Sequence, residues 1–298
     1  MKINFQKILK ISFLLIFFVT IIYLGVSFYI AHTLTKIEPK ELKINREEIS
    51  QNSQDVVFES PDGVKLSGWL FNSSSQQAII LVHGVEEIRT NEYSNGVELI
   101  KELLSKNYNV LVYDTRGNGQ SEKTRLTFGQ NEGKDIEGAI NFLNNKGFEN
   151  SNIGIIANSM GAISLLQNID NINAGAIIVD SPAVRIEPII RRELTQTKNI
   201  PEFMILGIYL TAKTFFRLDI YSISPIDKVD SRDMFLFFHG EADDFITPDN
   251  SQKLLEKTHP ENRLVIFEGS KHVESFKDHP EQYLNEALGY FEEKLRSN

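Results

Sequence analysis

The chain has 298 residues, 41% of them hydrophobic, so it is long enough to bury the core of one large domain and to carry a further segment. It has no cysteine, which excludes disulfides and thiolate metal sites. The formal net charge is −9, and residues 1–31 hold three lysines and no acid, so the remainder carries −12. Such an acidic body argues against nucleic acid as a partner.

The first predicted element is an uncharged apolar stretch at residues 11–31. A helix of that length rises about 30 Å, which matches the hydrocarbon core of a bilayer. A cleaved signal peptide is the alternative, but its apolar core normally runs only about 7–15 residues. We therefore predict an uncleaved transmembrane anchor at 11–31, preceded by a cytoplasmic tail at 1–10 and followed by a polar linker at 32–53.

The orientation of the anchor is predicted from the residues around it. Lys2, Lys7 and Lys10 precede the apolar stretch, although four more basic residues follow it within 15 positions. A short basic tail before an N-terminal anchor usually stays inside while the domain is translocated. A chain without cysteine also fits an extracytoplasmic location. We therefore predict a single-pass protein of the cell membrane with its domain on the extracytoplasmic side.

Residues 54–298 show the pattern of one α/β domain. Short apolar or alternating runs predict eight strands, at 55–59, 64–71, 78–82, 108–113, 153–156, 174–179, 234–238 and 264–267. The first two are joined by an Asp-Gly turn, which is typical of a β-hairpin. The other six alternate with helical patterns, so we predict a mostly parallel eight-stranded sheet with helices on both faces and the hairpin at one edge.

An insertion at about 183–230 interrupts this alternation, because no clear strand pattern lies in it. It contains the apolar run 203–216, whose side chains would coat a pocket mouth or rest near lipid. Long insertions in compact domains are often lids, so we predict a small helical lid. A pair of ordinary packing helices is the alternative.

A serine lies between the strand at 153–156 and the helical pattern that follows. The local sequence is Ala157-Asn158-Ser159-Met160-Gly161. A serine on a sharp strand-to-helix turn, with small residues two positions away on each side, is the layout of a nucleophile elbow. The usual motif is G-x-S-x-G, and Ala157 replaces its first glycine. The alternative is that Ser159 only caps the helix.

Two later strands end in the groups that this serine would need. Asp243 follows the seventh strand and His272 follows the eighth. Because the carboxyl ends of parallel strands meet at one edge of a sheet, we predict a catalytic triad of Ser159, His272 and Asp243. His272 would accept the serine proton, and Asp243 would orient the imidazole. Asp244 competes with Asp243 for the role of the acid.

The same edge offers two backbone donors for an oxyanion hole. They are the N–H of Met160, directly after the serine, and the N–H of Val85, after the first buried parallel strand. Gly84 would let the backbone approach the substrate without a Cβ. Metal, P-loop and dinucleotide-binding motifs do not occur in the sequence, so we predict neither a metal nor a cofactor.

Together these pieces resemble the α/β-hydrolase superfamily. The matching segments, in the order of the family, are Leu81-Val82-His83-Gly84, Tyr113-Asp114-Thr115-Arg116-Gly117-Asn118-Gly119-Gln120-Ser121, Ala157-Asn158-Ser159-Met160-Gly161, His239-Gly240-Glu241-Ala242-Asp243 and Gly269-Ser270-Lys271-His272. The resemblance covers residues 55–298. Within the superfamily, the chain is similar to the bacterial membrane-anchored and peptidase-like branches. Its H-G-x-x-D spacing implies Asp243 rather than Asp244 as the acid, and it implies a structural role for the segment 113–121.

The sequence predicts a serine hydrolase that cleaves an ester or amide through an acyl-enzyme. Its expected partners are a small-molecule or peptide acyl substrate and, at residues 11–31, the lipid bilayer. An aminopeptidase-like or acyl-peptide hydrolase-like activity is the enzymatic alternative. A non-catalytic binding protein with a hydrolase fold is the other, but such a protein need not keep all three triad groups.

Overall fold

The computed structural model describes residues 5–38, 40–229, 232 and 234–295. Residues 1–4 of the predicted cytoplasmic tail, residue 39 of the predicted linker, residue 230 of the insertion, and residues 231, 233 and 296–298 of the predicted domain lie outside the described residues. The chain divides into two compact units. The smaller unit combines Met1–Lys36 with Glu187–Ile220, and the larger unit combines Ile37–Ile186 with Tyr221–Asn298.

The larger unit contains an eight-stranded sheet. Its strands are β1 (Ser53–Glu59), β2 (Lys65–Phe71), β3 (Ala78–Val82), β4 (Asn109–Tyr113), β5 (Ile153–Asn158), β6 (Ala176–Asp180), β7 (Phe235–Gly240) and β8 (Arg263–Phe267). The order across the sheet is β1-β2-β4-β3-β5-β6-β7-β8. β1 pairs antiparallel with β2, and β2 pairs antiparallel with β4. The other six strands, β3 to β8, are parallel to one another. The predicted sheet, with its hairpin at one edge, is confirmed.

Helices cover both faces of the sheet, as predicted. The α-helices of the described residues are α1 (Phe5–Leu34), α2 (Gly96–Ser105), α3 (Gly133–Asn145), α4 (Met160–Gln167), α5 (Glu187–Arg192), α6 (Ile205–Phe216), α7 (Asp249–Leu255), α8 (Ser275–Asp278) and α9 (Pro280–Lys294). Ile155 and Phe237 belong to one buried apolar cluster, while their neighbours Ile156 and Phe238 belong to the other. Since successive side chains of a strand point to opposite faces, both faces of β5 and β7 are buried, which explains their continuous apolar sequences.

The segment predicted as a linker contributes to the larger unit from residue 37 onward. Leu42, Ile44 and Ile49 pack against the second apolar cluster. Lys40 Nζ lies 3.3 Å from Glu87, and Lys43 Nζ lies 2.6 Å from Glu92. The segment therefore lies on the larger unit, and the domain boundary near residue 54 stays a prediction.

The smaller unit contains α1 and the part of the insertion at Glu187–Ile220. Within α1, the span Gln6–Leu34 is long and apolar enough to cross a membrane, with a mean hydropathy of 2.5 over an 18-residue window, a property that an anchor and a signal sequence share. The insertion is helical, with α5, a π-helical turn at Glu193–Thr197, and α6. That this insertion acts as a lid stays a prediction.

Candidate active site

Ser159 occupies a sharp turn between β5 and α4. Its backbone has φ +50° and ψ −115°, a conformation that side-chain-bearing residues rarely adopt and that costs on the order of 1–3 kcal/mol. A Cβ at Gly161 would lie 2.8 Å from the carbonyl oxygens of both Val82 and His83, so only glycine lets α4 start this close to the end of β3. Ala157, at the other small position, is fully buried within β5, where its methyl group is accommodated.

The structure brings the three predicted triad residues together. Ser159 Oγ lies 2.8 Å from His272 Nε2, and His272 Nδ1 lies 2.7 Å from Asp243 Oδ2. When the imidazole carries its single proton on Nδ1, the serine hydroxyl donates to Nε2 and the Nδ1–H donates to the carboxylate. Asp244, the other candidate for the acid, has an exposed side chain. The carboxylate beside His272 belongs to Asp243.

Asp243 is held as a buried carboxylate. Its Oδ1 accepts hydrogen bonds from the backbone N–H groups of Phe245, at 3.0 Å, and Ile246, at 2.8 Å. Burial alone would raise the pKa of Asp243, but hydrogen bonds from His239 and His272 outweigh it and hold the pKa well below its usual range. The carboxylate therefore stays ionised at neutral pH, where it can stabilise a protonated imidazole.

His239 supports the loop that carries Asp243, a role that the sequence did not reveal. Its ring is fully buried, with Nε2 2.6 Å from the carbonyl oxygen of Ile246 and 3.3 Å from Asp243 Oδ2. Its Nδ1 lies 2.6 Å from Ser251 Oγ, so α7 is tied to the same ring. The only sequence signal for this role is the position of His239 four residues before Asp243.

The segments that carry the two predicted oxyanion donors both lie next to Ser159. Met160 is the first residue of α4, where a backbone N–H has no acceptor within the helix. On the other side, a Cβ at Gly84 would lie 3.3 Å from Ser159 Cβ, so the loop that carries Val85 passes directly against the serine. That the backbone N–H groups of Met160 and Val85 form an oxyanion hole stays a prediction.

A buried histidine fixes the conformation of that loop. The backbone N–H of Thr115 donates to His83 Nε2 at 3.0 Å, so the Nδ1–H of His83 donates to the carbonyl oxygen of Gly84 at 2.8 Å. Burial lowers the pKa of His83 and keeps the ring neutral, as this arrangement requires. His83 therefore orients the peptide that leads to Val85.

A buried ion pair holds the far end of the same loop. Arg89 Nη2 lies 2.6 Å from Asp114 Oδ2, with side chains that are 1% and 0% exposed. Burial alone would raise the pKa of Asp114, but its hydrogen bonds to Arg89 lower it. Asp114 belongs to the predicted structural segment 113–121. Arg89, in contrast, stands in no motif, and only the fold brings it to this carboxylate.

A cavity of about 310 Å³ opens beside Ser159. Its lining combines apolar, polar and charged side chains with the backbone of the Gly84 loop; the lining residues are Lys40, Gly84, Val85, Glu86, Glu87, Asn91, Tyr93, Asn158, Ser159, Phe245, His272 and Val273. The ring of Phe245 packs edge-on against His272 with centroids 5.1 Å apart. The cavity is large enough for a small acyl group and its leaving group.

A family model described as Hydrolase_4, serine aminopeptidase S33, matches residues 73–225, which is just over half of the 298-residue chain. The chain belongs to this family. The match to an S33 model agrees with the triad-like geometry, and it confirms the predicted membership of the α/β-hydrolase superfamily. The chain is thereby placed among hydrolases of the serine hydrolase and esterase type.

Two bacterial relatives of this S33 chain are similar over most of their length. An uncharacterized protein of Bacillus subtilis (strain 168), YqkD, is 28% identical over 235 residues, which cover 76% of this chain and 75% of the relative. An uncharacterized protein of Escherichia coli (strain K12), YfhR, is 27% identical over 252 residues, which cover 80% of each chain. Both matches extend well beyond the segment around Ser159.

Solved structures show the same fold. The esterase Pf2001 of Pyrococcus furiosus superposes with a TM-score of 0.71 at 21% identity, covering 88% of this chain and 99% of its own. XC6422 of Xanthomonas campestris, described as an α/β serine hydrolase without a lid, superposes with a TM-score of 0.59 at 14% identity, covering 83% of this chain and 97% of its own. At these identities the likeness establishes the fold of the S33 chain.

A second buried acid, Asp180, lies at the end of β6. It is 1% exposed, it stands opposite Asn158 in the sheet, and it accepts a hydrogen bond from Ser181 Oγ at 3.1 Å. Burial raises the pKa of Asp180 to about 6, although the nearby His239 and His272 partly oppose this. The folded chain therefore binds the Asp180 proton more tightly than the unfolded chain does.

We expect Asp180→Asn to make the protein more stable than the wild type at neutral pH. The folded-state pKa of about 6 lies above the ordinary value of 3.8, so ionising Asp180 destabilises the folded state progressively between about pH 4 and 6. The advantage of the neutral amide should grow across that window to the order of 3 kcal/mol and then level off. The difference in the free energy of unfolding between the variant and the wild type is measured by urea unfolding in detergent, followed by the fluorescence of the buried Trp69.

Asp249→Asn, which alters an exposed carboxylate, is the matched control for this measurement. A difference in the free energy of unfolding between the wild type and Asp180→Asn that stays constant from pH 4 to 7 would contradict the prediction.

Proposed function

We propose that this protein is a serine hydrolase in which Ser159 is the nucleophile, His272 the general base and Asp243 the orienting acid. The observation that carries the proposal is the continuous chain of hydrogen bonds, at 2.8 and 2.7 Å, from the Ser159 hydroxyl to a buried carboxylate. A serine hydroxyl is a weak nucleophile at neutral pH and needs such a base. A helix cap would need neither His272 nor the cavity beside Ser159.

The reaction follows from this geometry. As Ser159 Oγ attacks the substrate carbonyl carbon, its proton passes to His272 Nε2, and the carbonyl oxygen becomes an oxyanion. The N–H groups of Val85 and Met160 stabilise that oxyanion, and loss of one such donor typically costs about 2.7–4 kcal/mol of barrier. His272 then protonates the leaving group, which departs and leaves an acyl-Ser159. Water, deprotonated by His272, hydrolyses the acyl-enzyme and restores the free serine.

We propose an ester as the first bond to test. The fold neighbour Pf2001 is an esterase, and the cavity at Ser159 carries apolar lining from Val85, Phe245 and Val273 that suits an acyl chain.

An aminopeptidase-like activity is the second candidate, because Glu86 and Glu87 line the same cavity and would attract a free amino terminus. Lys40 pairs with Glu87 at 3.3 Å and weakens that attraction. Hydrolysis rates measured on a panel of acyl esters and aminoacyl amides distinguish the esterase activity from the aminopeptidase-like activity.

The nucleophile can be tested by covalent labelling. A fluorophosphonate probe should label the wild type and should not label Ser159→Ala, because the probe reacts only with an activated serine. Ser164→Ala is the matched control, since Ser164 lies one turn further along α4 and its hydroxyl donates to the carbonyl oxygen of Met160 at 2.6 Å. Labelling of Ser159→Ala would refute the assignment.

The two neighbouring acids should behave differently. Asp243→Asn replaces the acceptor of the Nδ1–H of His272 and favours the wrong tautomer, so kcat for ester hydrolysis should fall on the order of 10³–10⁴-fold. Asp244→Asn alters an exposed side chain and should leave kcat within about threefold of the wild type. Equal kcat values for the two variants would exclude Asp243 as the orienting acid.

We further propose that α1 is an uncleaved anchor and that the larger unit lies on the extracytoplasmic side. The apolar span Gln6–Leu34 is longer than the apolar core of a signal peptide, and Lys7 and Lys10 stand in its first turns. The chain has no cysteine, so a single introduced thiol reports on one position.

Val57→Cys provides such a report, because Val57 is 66% exposed on the edge strand β1. In intact spheroplasts this variant should react with a membrane-impermeant maleimide as fully as after lysis, while the cysteine-free wild type gives no background. Reaction only after lysis would place the larger unit in the cytoplasm.

A further inference from the structure

The insertion packs along α1 within the smaller unit. The Tyr23 hydroxyl donates to the carbonyl oxygen of Phe203 at 2.9 Å and accepts from the backbone N–H of Gly207 at 3.0 Å. Further along, the ring of Phe28 contacts those of Phe215 and Phe216, each at a centroid distance of 5.2 Å. Because both residue numbers rise together, α6 runs in the same direction as α1.

The two helices approach closely at Gly207. A Cβ there would lie 2.5 Å from Ser27 Oγ and 2.6 Å from the ring of Tyr23. Close approach through small residues is how helices associate where lipid removes the hydrophobic drive for packing. The contacted part of α1, from Tyr23 to His32, rises about 14 Å and lies in the second half of the apolar span.

The exposed side chains on α6 and in the turn before it are apolar as well. Phe203, which precedes α6 and stacks on the ring of Tyr23, is 70% exposed. Leu206 and Leu210 of α6 are 72% and 56% exposed. From 203 to 212 the sequence contains no charged residue. A helix that is apolar all round is either buried in protein or in contact with lipid. With 12 residues, α6 rises only about 18 Å and is too short to cross a bilayer.

The charges of the insertion are arranged in a way that suits a membrane interface. Lys213, near the end of α6, pairs with Asp219 at 2.6 Å, and Arg191 pairs with Glu187 at 2.8 Å and also with Glu202. Pairing lowers the cost of holding charges near lipid. Since α6 parallels α1, the apolar end with Phe203 and Leu206 lies nearer the middle of the span than the end with Lys213.

We propose that the insertion is a second membrane-contacting element. In this arrangement α6 lies beside α1 in the leaflet that contains the C-terminal half of α1, with Phe203 and Leu206 against acyl chains and Lys213 near the headgroups. The occupant of the exposed face is the lipid bilayer, because that face is continuous with the surface of a helix able to span one. The inference rests on the proposed anchoring of α1 and is independent of the proposed catalytic residues.

Fluorescence quenching in vesicles tests this placement. The full-length protein, with a nitrobenzoxadiazole label on a single introduced cysteine, is reconstituted into vesicles of phosphatidylcholine and phosphatidylglycerol. The labelled variants are Leu206→Cys and Lys213→Cys in the insertion, Phe17→Cys in the first half of α1, and Val57→Cys in the larger unit as the aqueous control. Nitroxide groups on the lipid chains report contact with lipid, and iodide reports contact with water. Fluorophosphonate labelling shows independently whether the active site is intact.

We expect Leu206→Cys to be quenched by the lipid nitroxides at least twofold more than Val57→Cys, and more than Lys213→Cys. If Leu206→Cys matches Val57→Cys while Phe17→Cys is quenched by lipid, the inference is wrong and the anchor stands. If Phe17→Cys is also quenched only by iodide, both the anchor and the inference fail. A Leu206→Cys label shielded from both quenchers would indicate a protein partner, such as a second copy, and would overturn the lipid assignment.

Discussion

The close approach of α4 to the end of β3, possible only because Gly161 lacks a side chain, is the constraint on which the candidate site depends. It forces the chain through the rare backbone conformation of Ser159, so the hydroxyl projects from the turn instead of packing into the sheet. The same approach brings the Gly84 loop against the serine. One packing contact thus positions the proposed nucleophile and the segments of both proposed donors, and the backbone strain at Ser159 is offset by the packing of the fully buried strand β5.

Around this contact the fold places buried polar groups that hold the loops of the candidate site. His83 orients the peptide before Val85, the Arg89–Asp114 pair holds the end of that loop, and His239 supports the loop of Asp243. Each group is buried with its hydrogen-bonding partners, since an unpaired polar group in this position would cost on the order of 1–3 kcal/mol. The precision of the site rests as much on these groups as on Ser159 itself.

Most of the sheet and the position of the candidate site were predictable from the sequence, because both depend on local patterns. Strands buried on both faces must be apolar along their length, and a parallel sheet places the ends of β5, β7 and β8 at one edge. The ion pair of Arg89 was not predictable, because Asp114 lies 25 residues away. The packing of α1 on α6 was not predictable either, because Tyr23 and Phe203 are 180 residues apart. Neither contact leaves a periodic signal in the sequence. Residues 37–52 looked like a linker because their few apolar side chains, such as Leu42 and Ile44, are isolated among charges.

The pairing of α1 with α6 also has a consequence for biosynthesis. Tyr23 and its partner Phe203 are separated by 180 residues, which a ribosome adding about 5–20 residues per second needs roughly 10–40 s to make. During that time strands β1 to β6 emerge, so most of the sheet is available to fold before the smaller unit can close. The surface of α1 at Tyr23 and Ser27, against which Gly207 packs, is therefore exposed throughout most of translation. Under the proposed anchoring of α1, any factor that accompanies this helix into the membrane has to release that surface before the chain can complete its fold.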